Sequence, residues 1–133
     1  RSGQYAVRHL GVAARNSVAD VPAREFYCPG SLLKVRVENG GPWTLGLPAE
    51  FTIWNESSPV WEPNGSEGRA VLRYADSGVL ASGWLLGEKH VAGRPALLDM
   101  PAGAGRVLLF GFRPQYRGQS WLTLKLFFNA LVM

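Results

Sequence analysis

Few side chains in this sequence are of the kinds that do covalent or metal chemistry. There is one Cys, Cys28, and there are two His, His9 and His90. A zinc site needs three or four converging His, Cys or carboxylate ligands, often a short-spaced pair with a distant third. His9 is followed by Leu10-Gly11-Val12 and His90 by Val91-Ala92-Gly93, so neither opens a His-x-x-Glu or His-x-x-x-His pair. No metal site is expected. Cys28 precedes Pro29-Gly30 in a turn, not at the strand-to-helix elbow that exposes a nucleophile, and a packing role is expected for it. Gly103-Ala104-Gly105 has a strand after it rather than a helix, and no Gly-Lys-Ser/Thr follows, so it reads as a turn and not a phosphate loop. No catalytic residue and no cofactor are assigned to this chain.

Binding chemistry is better represented. Arg113, Gln115, Arg117 and Gln119 form a polar run between the last expected strand and the last expected helix. Two guanidiniums there suit a carboxylate or phosphate, because a planar fork grips two oxygens at once. The competing reading has them fix the connection by bonding backbone carbonyls or Asp99. Five Trp offer aromatic faces for a sugar or peptide. Core packing accounts for most of them, and Trp54 with Trp61 is the expected exposed pair.

The elements that must carry these residues are mostly strands. Leu33–Glu38 alternates apolar and charged residues strictly, the pattern of a strand with one buried face. Phe51–Trp54, Val60–Glu62 and Ala70–Tyr74 are further strands, the last without clean alternation and so covered on both faces. Residues 4–10 resemble the last turns of a helix stopped by Gly11. Residues 12–30 show no strong periodicity, and 77–94 read as loop with one helical turn. Ala96–Met100 and Arg106–Phe112 flank Pro101–Gly105 as a hairpin with a five-residue connection. Ser120 is placed to cap a helix to about Val132, with Trp121, Leu124, Phe127, Phe128 and Leu131 as the stripe that packs on the sheet.

Composition sets the bounds. The 133 residues are 47% hydrophobic and 18% charged, with 16 Gly and 9 Pro, which suits short elements and tight turns around one core. The net charge of +4 rests largely on 11 Arg, dispersed without a run of three, so a nucleic-acid groove is not expected. No apolar run approaches the length of a membrane span, and no signal peptide opens the chain. With no initiator Met and a start in mid-helix, residues 1–133 are expected to be one domain cut from a longer chain. The fold class expected is mixed α/β and strand-rich, with a C-terminal hairpin and a packed C-terminal helix; a β-sandwich with one helix is the alternative.

The stretch from Gly87 through Phe110-Gly-Phe-Arg-Pro-Gln115 to Gln119, then Lys125–Leu131 and Tyr27–Val35, resembles the C-terminal end of large bacterial zinc carboxypeptidases of the carboxypeptidase A-like superfamily. In those proteins a metallopeptidase domain precedes a domain resembling class I glutamine amidotransferases. The resemblance implies part of a flavodoxin-like layout and a secreted or periplasmic parent, with zinc only in the upstream peptidase domain. It carries over no functional residue, since His90-Val91-Ala92 lacks the Glu of the amidotransferase His-x-Glu pair. The expected function is a non-catalytic accessory domain that shapes or targets that peptidase, its main partner. A glycan- or peptide-binding module is the alternative, and a small enzyme using Cys28 a third.

Overall fold

The computed structural model describes residues 2–132. In chain order the elements are α1 (Ser2–His9), β1 (Ala14–Asn16), β2 (Ser31–Val37), β3 (Glu50–Asn55), β4 (Trp61–Pro63), β5 (Arg69–Tyr74), β6 (Leu80–Ser82), β7 (Pro95–Ala102), β8 (Gly105–Phe110) and α2 (Trp121–Val132). Short 3-10 turns lie at Pro42–Thr44 and Glu88–His90. The main sheet runs β3-β2-β5-β7-β8, with β6 beside β2, and β1 pairs with β4 separately. Every strand pairing is antiparallel. The protein is thus mixed and strand-rich, a curled antiparallel sheet with two helices.

Sequence pattern explains most of these elements. On β2, Leu33 and Val35 point into the core while Lys34 lies exposed between them. β7 is buried along Pro95–Met100, because two cores meet it from opposite faces. The larger holds Leu33, Ile53, Leu72, Leu97 and Leu126; the smaller holds Ala6, Trp61, Leu98, Met100 and Leu109. Gly11 sits at φ +66°, and the Leu10 and Val12 amides return to the Ala6 carbonyl, closing α1 as its sequence implies. The buried Asp99 carboxylate is gripped by Arg106 at 2.6 Å and by Arg69 at 2.9 Å, so its charge is matched inside the sheet.

Several expectations need correction. The β7–β8 connection is two residues long, not five, since Ala102 already pairs with Gly105. Residues 12–30 and 77–94 contain the short strands β1 and β6, whose three residues each are too few to show a period. Ser120 does not cap α2: its hydroxyl donates to the Thr52 carbonyl of β3 at 2.5 Å. The largest correction is the rotation of α2. Trp121 is 81% exposed and Phe128 60%, and Leu131 is exposed with them. The opposite side goes inward, with Thr123 and Leu126 buried and Phe127 half-buried. α2 is apolar nearly all round, so its pattern could not select a face; polar bonds do. The Thr123 hydroxyl shares its one proton between the Pro114 and Ser120 carbonyls, and the Asn129 amide donates to the Trp43 and Leu45 carbonyls.

Candidate functional site

The site is built by two loops, 56–60 after β3 and 111–120 after β8. They meet because the sheet curls, bringing the end of β8 to the end of β3. Gly111 marks the crossing. A Cβ there would stand 2.9 Å from the Pro59 carbonyl oxygen and 3.0 Å from that of Ala96, so only glycine passes. Behind it, the buried Asn55 amide donates to the Tyr74 hydroxyl at 3.0 Å, and that hydroxyl donates to the Gly111 carbonyl at 3.2 Å. Burial pushes the Tyr74 hydroxyl pKa well up, with the Asn55 bond opposing.

From Gly111 the chain reaches β3. The Arg113 backbone N–H donates to the Trp54 carbonyl at 3.1 Å. Its guanidinium lies 3.0 Å from the Glu56 carboxylate, a charge contact rather than an aligned hydrogen bond, and 5.3 Å over the Tyr116 ring centre. Arg117 approaches the same ring to 5.2 Å, so two cations converge on one phenol. The other partner of Tyr116 is Trp54, stacked at 5.6 Å and 7°. Against the indole lies Gly30, where a Cβ would approach the ring to 3.0 Å. The Trp54 indole N–H is buried without a partner among the described residues. Ser57 and Arg117 have φ of +47° and +49°, the two positive values found among described non-glycine residues. Such strain gathers at ligand-holding loops, and here both instances fall in the loops of one cluster.

Beside the cluster lies a cleft of about 670 Å³, reaching from α1 (Gly3, Ala6) past β8 (Leu108, Phe110) to Phe127 of α2 and Arg113. Of the residues singled out from sequence, Trp61, Arg113 and Gln115 line this cleft and Trp54 stands behind it. Arg117 joins through Tyr116, while Gln119 is exposed and outside the lining. Trp61 is corrected: it is 3% exposed, in the core under α1, and its indole N–H donates to the Phe110 carbonyl at 3.1 Å. Tyr116 and Glu56 were missed. Tyr116 sits between two noted arginines, and Glu56 lies in a segment that reads only as a turn.

The remaining candidates separate. Cys28 is buried, its thiol pushed up by that burial against weaker bonds from Ser31 and the Gly30 backbone, which is the reverse of an activated nucleophile. His9 packs at a tilt against Tyr5 on α1, whereas His90 packs against Phe26. Among the described residues no three His, Cys, Asp or Glu are placed to hold a metal ion, and no helix is long and apolar enough to cross a membrane. Among the described residues, eight arginines lie within ion-pair distance of a carboxylate, so the positive charge there is dispersed and largely matched. No family model, curated protein or solved structure matches the chain.

Proposed function

We propose that this chain is a non-catalytic accessory domain that binds an anionic peptide, in the service of a zinc-carboxypeptidase-like metallopeptidase. The observation that carries the reading is the convergence of Arg113 and Arg117 on Tyr116 at the end of the cleft. The two arginines divide the work. Arg113 is already bound to Glu56, to Tyr116 and, through its backbone, to Trp54, so it is scaffold. Arg117 has no carboxylate partner among the described residues and is the cation left for a ligand. A peptide is favoured over a glycan because a sugar needs a free aromatic face. Trp54 has lost one face to Tyr116 and meets Gly30 with the same ring system.

The tie to a peptidase rests on the resemblance of the sequence, and its zinc would belong to the upstream domain. The exposed Trp121, Phe128 and Leu131 on α2 support the accessory role, since a large apolar strip in water favours a covering partner. The flavodoxin-like part of the reading gains no support from wholly antiparallel pairing, because doubly wound sheets are mostly parallel. A secreted or periplasmic location is likewise part of the proposal alone.

The test is thermal melting with citrate or acidic peptides. Ligand at about 100-fold its dissociation constant should add about 2.7 kcal/mol of stability. Arg117→Lys should leave the free protein's melt unchanged and abolish the ligand shift. Arg113→Lys should lower the melt of the free protein. No shift with any acidic probe, or a free-protein melt lowered by Arg117→Lys, would sink the reading.

A further inference from the structure

Resting on that peptide-binding reading, we infer that the peptide enters as an added strand along the outer edge of β8, paired backbone to backbone with Arg106 and Leu108 and with the amide of Phe110. The register fixes which groups face outward. The Gly111 amide donates to the Ala96 carbonyl at 2.8 Å, and from that pair the β7–β8 ladder runs Leu97↔Phe110 to Ala102↔Gly105. Hydrogen-bonded and open pairs alternate along an antiparallel ladder. Gly105, Val107 and Leu109 therefore turn their backbone groups to β7, and Arg106, Leu108 and Phe110 turn theirs away. β8 is the last strand of the sheet, so nothing in the sheet meets them. The Phe110 carbonyl takes the Trp61 indole N–H. Among the described residues, the other outward groups of these three residues have no protein partner.

The cleft gives this edge the shape of a slot. Gly3 and Ala6 of α1 stand on one side and Phe127 of α2 on the other, with Val107–Phe110 between them. From Arg106 to Phe110 the edge offers about 17 Å of strand at roughly 3.4 Å per residue. The amides and carbonyls of a single extended segment would match the alternating groups of β8, as in strand addition to an exposed sheet edge. A second copy of this domain fits poorly, because its own β8 arrives with α1 and α2 beside it. Charge selects the end: Arg117, which has no carboxylate partner among the described residues, follows Phe110, so the peptide residue nearest Phe110 is acidic.

The probe is a displayed library of random heptapeptides, selected on the wild-type chain and counter-selected on Leu108→Pro. Proline at 108 removes an outward N–H and crowds the edge, which edge strands tolerate better than central ones. The selected peptide is then N-methylated one residue at a time and titrated against the wild-type chain, so the outcome does not depend on whether Leu108→Pro folds. Methylation at alternate residues should weaken binding at least tenfold, and at the intervening residues less than threefold. Uniform sensitivity, or the opposite lack of any sensitivity, overturns strand addition while leaving an anion site at Arg117 intact. Failure to enrich any sequence over the counter-selection also overturns it. So does concentration-dependent dimerisation of the wild type that Leu108→Pro abolishes, which would make a second copy the occupant.

Discussion

The two edges of the sheet are treated differently by the chain that made them. At β3 two of the outward carbonyls are taken: Thr52 accepts the Ser120 hydroxyl and Trp54 accepts the Arg113 amide. The Trp54 side chain is held as well, by Tyr116 and Gly30. Among the described residues, only the Phe110 carbonyl of the outward β8 groups is engaged, by a side chain. An unpaired edge is a template for pairing with another chain, and proteins ordinarily cover or blunt it. Here the same connection, 111–120, leaves one edge open and closes the other. The curl of the sheet therefore does more than complete the core. It places the strained, cationic loop where the open edge ends.

The comparison breaks most visibly if α2 is loosened, because α2 holds the connection against β3. Leu126 is fully buried, and Leu126→Ala should cost about 2–5 kcal/mol. Phe128→Ala should change stability by less than about 0.5 kcal/mol, since its ring is in solvent. Chemical denaturation of the two variants checks both. Equal losses would mean that α2 packs through the stripe its sequence displays rather than through Leu126.

That stripe shows where sequence reading stops. β2, β3, β5, β7 and β8 were legible because each has an alternating or continuous apolar run bounded by turn residues. α2 was legible as a helix but not in its rotation, since Leu, Phe and Ala occupy most of its surface and the deciding bonds come from Thr123 and Asn129 to distant carbonyls. The arginine pair stands out by its place between the last strand and the last helix, yet its division into Arg113, paired with Glu56, and Arg117, with no carboxylate partner among the described residues, depends on Glu56, far away in sequence. Trp61 looked exposed because it lies near Trp54 along the chain. It is buried because β4 pairs with β1, a three-residue strand with no periodicity to read.

A smaller effect is expected at the crossing itself. Gly111→Ala forces a methyl against two backbone oxygens that cannot rotate away, and about 1–3 kcal/mol should be lost. The loss should come with faster exchange of the Arg113 amide, because the strand end and the closed edge move together. Wild-type exchange at Arg113 in a destabilised variant would separate the crossing from the edge. Smaller again, Ser120→Ala removes one bond to the Thr52 carbonyl and should cost about 1 kcal/mol. It should leave peptide binding at β8 unchanged, and a parallel loss of binding would show that the two edges are coupled.

The smallest effect is alkaline and belongs to the closed side and the crossing behind it. Cys28 and Tyr74 lie behind β3, and burial raises both pKa values from their ordinary 9.0 and 10.0. A raised pKa means that the folded state holds its proton where the unfolded state releases it. The stability from the neutral thiol is therefore complete below pH 9 and declines as pH rises from there toward the folded value; Tyr74 adds to the decline above pH 10. At pH 9.5 the thiol's share of the loss should not exceed about 1 kcal/mol. Urea midpoints at pH 7.5 and 9.5 measure it, and Cys28→Ala should flatten the difference between them. The β8 edge carries no such group, so the affinity of a peptide bound there should stay level over the same range while the closed side weakens. If the affinity falls in step with the midpoint, the open edge depends on the closed one, and the contrast between them is one of exposure only.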